Sequence, residues 1–438
     1  MTRRRIFALG LGSLLLCAAF SAPVLEDLMK PQEQENLGKQ LAAYFNAYAK
    51  QSGTDKAFEK VSDEIKKIDA RLKTRSALSL TADLGKALWA SYDYEKKVNE
   101  VKKGGVKDLT CPRPQVQDDP KAVLTYAVWV PAKYDARKAY PLVLLVPDKD
   151  QKPAQHITEK WTDAALRDEA ILAAVPMPDD LAAWTEAAKS EDGKVKDGGL
   201  SNLLAVLVDL RSTVAVDFDR VYLVGSGEGV RAACAFAARF PDSLAGVAGR
   251  SGDVPEKTAV EPFKNLPTFF AGAGAGATAF SEALTKEKYD NCTIKPEAKE
   301  ADLWAWMKDH PRIANPAQIV LVAEPNAAGR SYWVSTPRFD APVRLTAVAD
   351  RGTNTITIDA DGATEVVLSL NDQLVDLDKE VKFVRNGIET VEKIPRNLTT
   401  TLGFMRGTTS RDPGRIYVAS KRLDIPSKPK PKDKPKDK

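Results

Sequence analysis

The sequence predicts an α/β protein: a mainly parallel sheet with helices on both faces, preceded by a helical segment and followed by a small antiparallel, β-sandwich-like domain. Three observations predict it. Continuous apolar runs such as YPLVLLV, Tyr140 to Val146, read as strands buried on both faces. These runs alternate with amphipathic stretches such as LSNLLAVLVDLRSTV, the pattern of a sheet built from βαβ units. After roughly Pro337 the runs become short and β-rich, with Gly, Asn and Asp between them. A chain of 438 residues has room for two or three such units.

The elements read in order as follows. Residues 1–21 form an export signal: Arg3, Arg4 and Arg5, then the apolar run Ile6 to Phe20, then the small residues Ser21 and Ala22 at the cleavage point. The apolar run is too short to span a bilayer, so the mature chain is expected to have no transmembrane span and to be periplasmic or extracellular. Residues 22–110 are helical, because NLGKQLAAYFNAYAK, AFEKVSDEIKKIDARLK and LGKALWASYDYEKKVNEV space their apolar residues three and four apart. Residues 111–336 carry the parallel sheet, in which VLTYAVWVP, YPLVLLVPD, ILAAVPMP, RVYLVG, LAGVAG and LPTFFAG are strands. Residues 337–426 are the β-rich domain. The tail, 427–438, is Lys, Pro and Asp after Ser427, has almost nothing apolar to bury, and is read as disordered.

Composition excludes several functions. The formal net charge is +4, of which the signal supplies +3 and the tail +4, leaving the body at −3. The basic balance therefore sits at the chain ends and marks no nucleic-acid surface. No CxxC pair or His/Cys cluster suggests a metal, and neither metal nor cofactor is expected. Three cysteines follow the signal: Cys111, Cys234 and Cys292. Cys234 reads as a buried small hydrophobe. Whether Cys111 pairs with Cys292 is left open by spacing alone.

Two longer stretches carry a resemblance. VWVPAKYDARKAYPLVLLVPD and VDFDRVYLVGSGEGVRAACAFAARFPDSLAGVAGRSG resemble the entry strands and the nucleophile strand, turn and helix of the α/β-hydrolase superfamily. The similarity is to secreted polyester-depolymerase-like and feruloyl-esterase-like serine esterases, and it covers about Val123 to Asn315. It implies an α/β-hydrolase-like sheet. It further implies ester hydrolysis by a serine on a G-x-S-x-G turn, with a histidine base, an acid and a backbone oxyanion hole.

Position by position, that machinery is degenerate. Gly225 and Gly229 match the outer glycines, but Gly227 stands where the serine belongs. Glycine takes the positive φ of such a turn without strain, so losing the serine favours stability once no hydroxyl is needed. The oxyanion loop reads Pro147-Asp148, which removes one N–H and adds a repelling charge. The acid position falls near Ala275, with Glu282 the next acid along. The base position, Asn291 to Pro296, has no histidine. The only histidines are His156, read as a surface or capping residue with a place facing the old cleft as the alternative, and His310, read as a helix-end residue.

The expectation is thus a secreted pseudoenzyme with no catalytic residues, serving as a binding or scaffold module. A protein or glycan partner would be reached through the C-terminal β domain. The competing expectation is a carboxylic ester hydrolase with a relocated site on Ser226 or Ser251 with His156, assisted by Glu228 or Asp148.

Overall fold

The computed structural model describes residues 28–112, 123–177, 199–272, 274–325, 328–406 and 412–428. The expected export signal, and the tail beyond Lys428, lie outside them. Among the described residues no helix is long and apolar enough to cross a membrane.

The fold is α/β-hydrolase-like. Eight strands build one sheet: β1 (Gly105–Pro112), β2 (Val123–Val130), β3 (Tyr140–Val146), β4 (Ile171–Ala174), β5 (Val216–Ser226), β6 (Gly246–Arg250), β7 (Thr268–Ala271) and β8 (Cys292–Ile294). Their order is β1-β2-β4-β3-β5-β6-β7-β8. The pairs β1–β2 and β2–β4 are antiparallel, and every pair from β4 to β8 is parallel. The apolar run in β3 shows why both faces are covered. Leu142, Leu144 and Val146 point into one core, beside the helices Gly199–Thr213 and Gly229–Arg239. Val143 and Leu145 point into the other, beside the helices Pro153–Lys160, Ala164–Glu169 and Glu300–Asp309. A strand sandwiched this way has no polar face, which is why its sequence does not alternate.

β1 corrects the expected division of the chain. Residues 105–110, expected within the helical segment, form the antiparallel edge of the large sheet. The third expected helix is also split. It runs Thr81–Ala90 and resumes at Tyr94–Lys97, where the Asp93 carboxylate caps the new start by accepting from Lys96 N–H.

The β-rich part starts earlier than residue 337. It consists of β9 (Gln318–Ala323), β10 (Ala328–Ser331), β11 (Val334–Arg338), β12 (Val343–Asp350), β13 (Thr355–Asp361), β14 (Glu365–Leu370), β15 (Glu380–Arg385), β16 (Ile388–Lys393) and β17 (Ala419–Asp424). These make a four-stranded sheet, β10-β11-β14-β17, and a five-stranded sheet, β16-β15-β13-β12-β9. Pairing is antiparallel except for β13 with β15. Alternating burial along β12 and β13 places Leu345, Ala347, Ile356 and Ile358 inside.

The N-terminal helices, Pro31–Ala49, Thr54–Leu72 and Thr81–Ala90, share a single apolar core with these C-terminal sheets. Gln373 Nε2 donates to Thr81 Oγ1 at 3.3 Å, and the Arg406 guanidinium stacks 3.6 Å over Tyr48. The two ends of the chain therefore build one composite lobe, and the hydrolase-like lobe is inserted between them.

Candidate functional site

The tip of the turn after β5 is Gly227, with φ +53°. Ser226 is the last residue of β5, paired with Arg250, so the turn does not slip to put its hydroxyl at the tip. The flanking glycines are needed for packing. A Cβ at Gly225 would lie 2.4 Å from the Gly229 carbonyl oxygen, and one at Gly229 would lie 2.4 Å from that of Val146. Strand, turn and helix could not close around any larger residue there.

The space above Gly227 is filled by Asp148. A Cβ at Gly227 would meet the Asp148 carboxyl at 2.2–2.3 Å. Asp148 Oδ1 accepts hydrogen bonds from Glu228 N–H at 2.9 Å and from Lys149 N–H at 2.8 Å. The Glu228 N–H follows the elbow position, and in this fold that group serves as an oxyanion donor. The Asp148 carboxylate thus occupies the space directly over the tip of the turn.

His156 lies in the helix Pro153–Lys160 and is 1% exposed. This corrects its reading as a surface or capping residue. Its Nε2 accepts from the Trp161 indole N–H at 3.0 Å, which leaves Nδ1 to carry the proton and donate to Gln151 Oε1 at 2.7 Å. Burial, with Arg250 and Lys160 nearby, pulls its pKa down to about 4. It is a neutral imidazole with both nitrogens engaged. His310 follows the helix Glu300–Asp309, where its Nδ1 meets the Trp306 carbonyl at 2.7 Å.

The remaining expected positions lie in helix starts, loops and strand ends. Ala275 opens the helix Ala275–Lys286, and Glu282 is exposed on it. That helix start is capped from a different loop: the Asp253 carboxylate accepts from Gly276 N–H at 2.9 Å and Ala277 N–H at 2.8 Å. Asn291, at the expected base position, donates to the Phe263 and Leu266 carbonyls. Ser251 is exposed, holds φ +52°, and gives its N–H to the Ala271 carbonyl at 2.9 Å.

An open cleft of about 730 Å³ lies over the turn. Asp148, Gly227, Glu228, Arg231, Ser251 and Asp253 line it, with Glu256 and Lys257 at its edge, and neither histidine does. Arg231, Asp253 and Lys257 were not singled out in sequence. Asp253 closely follows a strand end, the one local signal it carried.

Elsewhere, Asp372, Asp376 and Asp378 form the only acidic group close enough for a metal among the described residues. Arg396 already fills it, reaching Asp372 at 2.5 Å and Asp378 at 2.6 Å. Cys111 and Cys292 sit on β1 and β8, the opposite edges of the large sheet, roughly 30 Å apart at ~4.8 Å per strand. A disulfide needs Cα atoms within about 7 Å, so they do not pair.

No family model matches the chain, and no curated protein resembles it in sequence. Solved structures do match at low identity. A thermostable esterase is 14% identical with a TM-score of 0.38, the match covering 47% of this chain and 63% of that one. A ferulic acid esterase is 14% identical at TM-score 0.35, over 47% and 95% of the two chains. S-formylglutathione hydrolase (FrmB) from Staphylococcus aureus is 9% identical at TM-score 0.34, also over 47% and 95%.

Proposed function

We propose that this protein is an exported α/β-hydrolase homologue without catalytic activity, acting as a binding or scaffold module. One observation carries the reading: the Asp148 carboxylate occupies the space over Gly227 and takes the Glu228 N–H. A substrate carbonyl would need that N–H, and a nucleophile would need that space. The engagement of both His156 nitrogens supports the same reading, because a general base needs a free lone pair. The partner surface of this reading is the C-terminal β part, where Ile388 and Val391 are more than half exposed on the outermost strand β16. It would take a protein or glycan.

The competing esterase reading rests on Ser251, which lines the cleft. A panel of short acyl esters separates the two. The expected result is turnover no faster than in buffer, for the natural chain and for Ser226→Ala and Ser251→Ala alike. Turnover by the natural chain that vanishes in either variant would establish the esterase reading.

A further inference from the structure

One edge of the C-terminal five-stranded sheet is open. β16 is its terminal strand and pairs only with β15 among the described residues. The two are joined by the turn Asn386-Gly387, both residues at positive φ, and they pair without a register shift. Lys382 of β15 gives its N–H to the Asn354 carbonyl at 3.0 Å, away from β16. Bonding sides alternate along a strand, so Val381, Phe383 and Arg385 are the β15 residues that bond β16. Their partners are Glu392, Thr390 and Ile388. The N–H and C=O groups of Glu389, Val391 and Lys393 therefore point out of the sheet, a row free to pair with another strand.

The side chains on that row decide what pairs with it. The strand Ile388–Lys393 contains no proline, and Glu389, Val391 and Lys393 are all exposed. A twofold axis through Val391 sets a second β16 antiparallel, with Val391 opposite Val391 and each Glu389 opposite a Lys393. All three outward residues then fall in bonded pairs. An axis one residue to either side leaves one of them out and loses the Glu–Lys match. A parallel copy in register would set Glu389 beside Glu389, which is repulsive. Glu380 already lies opposite Lys393 on β15, so the signs alternate across the joint: Glu380, Lys393, then Glu389 of the second copy.

We propose that β16 pairs antiparallel with β16 of a second copy of this chain, joining two five-stranded sheets across a twofold axis at Val391. The pairing rests on the reading of β16 as the partner surface and is independent of the loss of catalysis.

The test is sedimentation of the full-length protein over a range of concentrations. A pair of six-residue strands is a small interface, so the natural chain should dimerise with a Kd of about 10 μM. Glu389→Lys and Lys393→Glu each set like charges opposite one another and should each weaken the dimer at least about tenfold. Mixed in equal amounts, the two variants should associate with near-natural affinity, because each then meets the opposite charge. Val391→Pro removes an outward N–H and no bond to β15, and should give a folded monomer by circular dichroism. A natural chain that stays monomeric, a dimer indifferent to Val391→Pro, or charge variants that fail to associate when mixed would each overturn the pairing. None of these results bears on ester turnover, so the pairing can fail while the non-catalytic reading stands.

Discussion

Two aspartates, Asp148 at the elbow and Asp412 at the seam between the two lobes, show how differently one side chain works in the two regions. Asp148 is exposed and held by two backbone N–H groups, so its position follows from one turn and one loop. Asp412 is fully buried and held by the Arg312 fork from 100 residues away. The elbow therefore tolerates change that the seam does not: the turn is filled locally by one exposed side chain, whereas the joint between lobes depends on a buried ion pair between distant residues. The difference teaches where this chain keeps its constraint. On the proposed reading the elbow is where this chain is least constrained, and the seam is where it is most constrained.

That contrast can be broken at its stronger end first. Arg312→Ala strands Asp412 and half-frees Asp219, and should cost about 3–5 kcal/mol, read as a lowered urea midpoint. If it costs no more than Asp148→Ala, the seam is not the more constrained region.

Acid should act next, through His156. Its folded pKa of about 4 lies below the ordinary value of 6.5, so the unfolded chain binds the proton first. Stability is then full above about pH 6.5 and falls by about 3 kcal/mol as pH drops towards 4. Urea midpoints measured across that range should slope downward, and His156→Gln should flatten the slope. Asp412 gives way lower down. Burial would raise its pKa, but Arg312 holds it at about 2, below the ordinary 3.8, so its contribution is lost between about pH 4 and 2.

At the elbow, Gly227→Ser adds a Cβ onto the Asp148 carboxyl at positive φ and should cost about 2 kcal/mol. Adding Asp148→Gly should recover part of that loss without producing esterase activity, because no free imidazole faces the cleft. Activity from the double variant would show that a base had been overlooked. Asp148→Ala alone should cost only about 1 kcal/mol, as expected for exposed hydrogen bonds.

Much of this was legible in the sequence because its causes are local. The run of β3 requires cover on both faces, and the spacing of Gly225, Gly227 and Gly229 requires a tight turn. The absence of serine at the tip needed no structure. What could not be read depends on contacts between distant residues. Nothing near Thr81 announces Gln373, 292 residues on, so the composite lobe was invisible and the helices passed as a separate layer. Residues 105–110 fall within the segment given to the helices because an edge strand shows only weak alternation. His156 looked like a surface group because its neighbour Trp161 becomes a partner only when the chain turns after Lys160. Asp148 was read as a repelling charge, since sequence cannot tell a loop that faces the turn from one that enters it.

The most direct test is the intact mass of the natural full-length protein after exposure to a fluorophosphonate probe, beside an active serine esterase as control. No adduct should form on this chain while the control is fully modified. A stoichiometric adduct, mapped by peptide digestion to Ser226 or Ser251, would contradict the account.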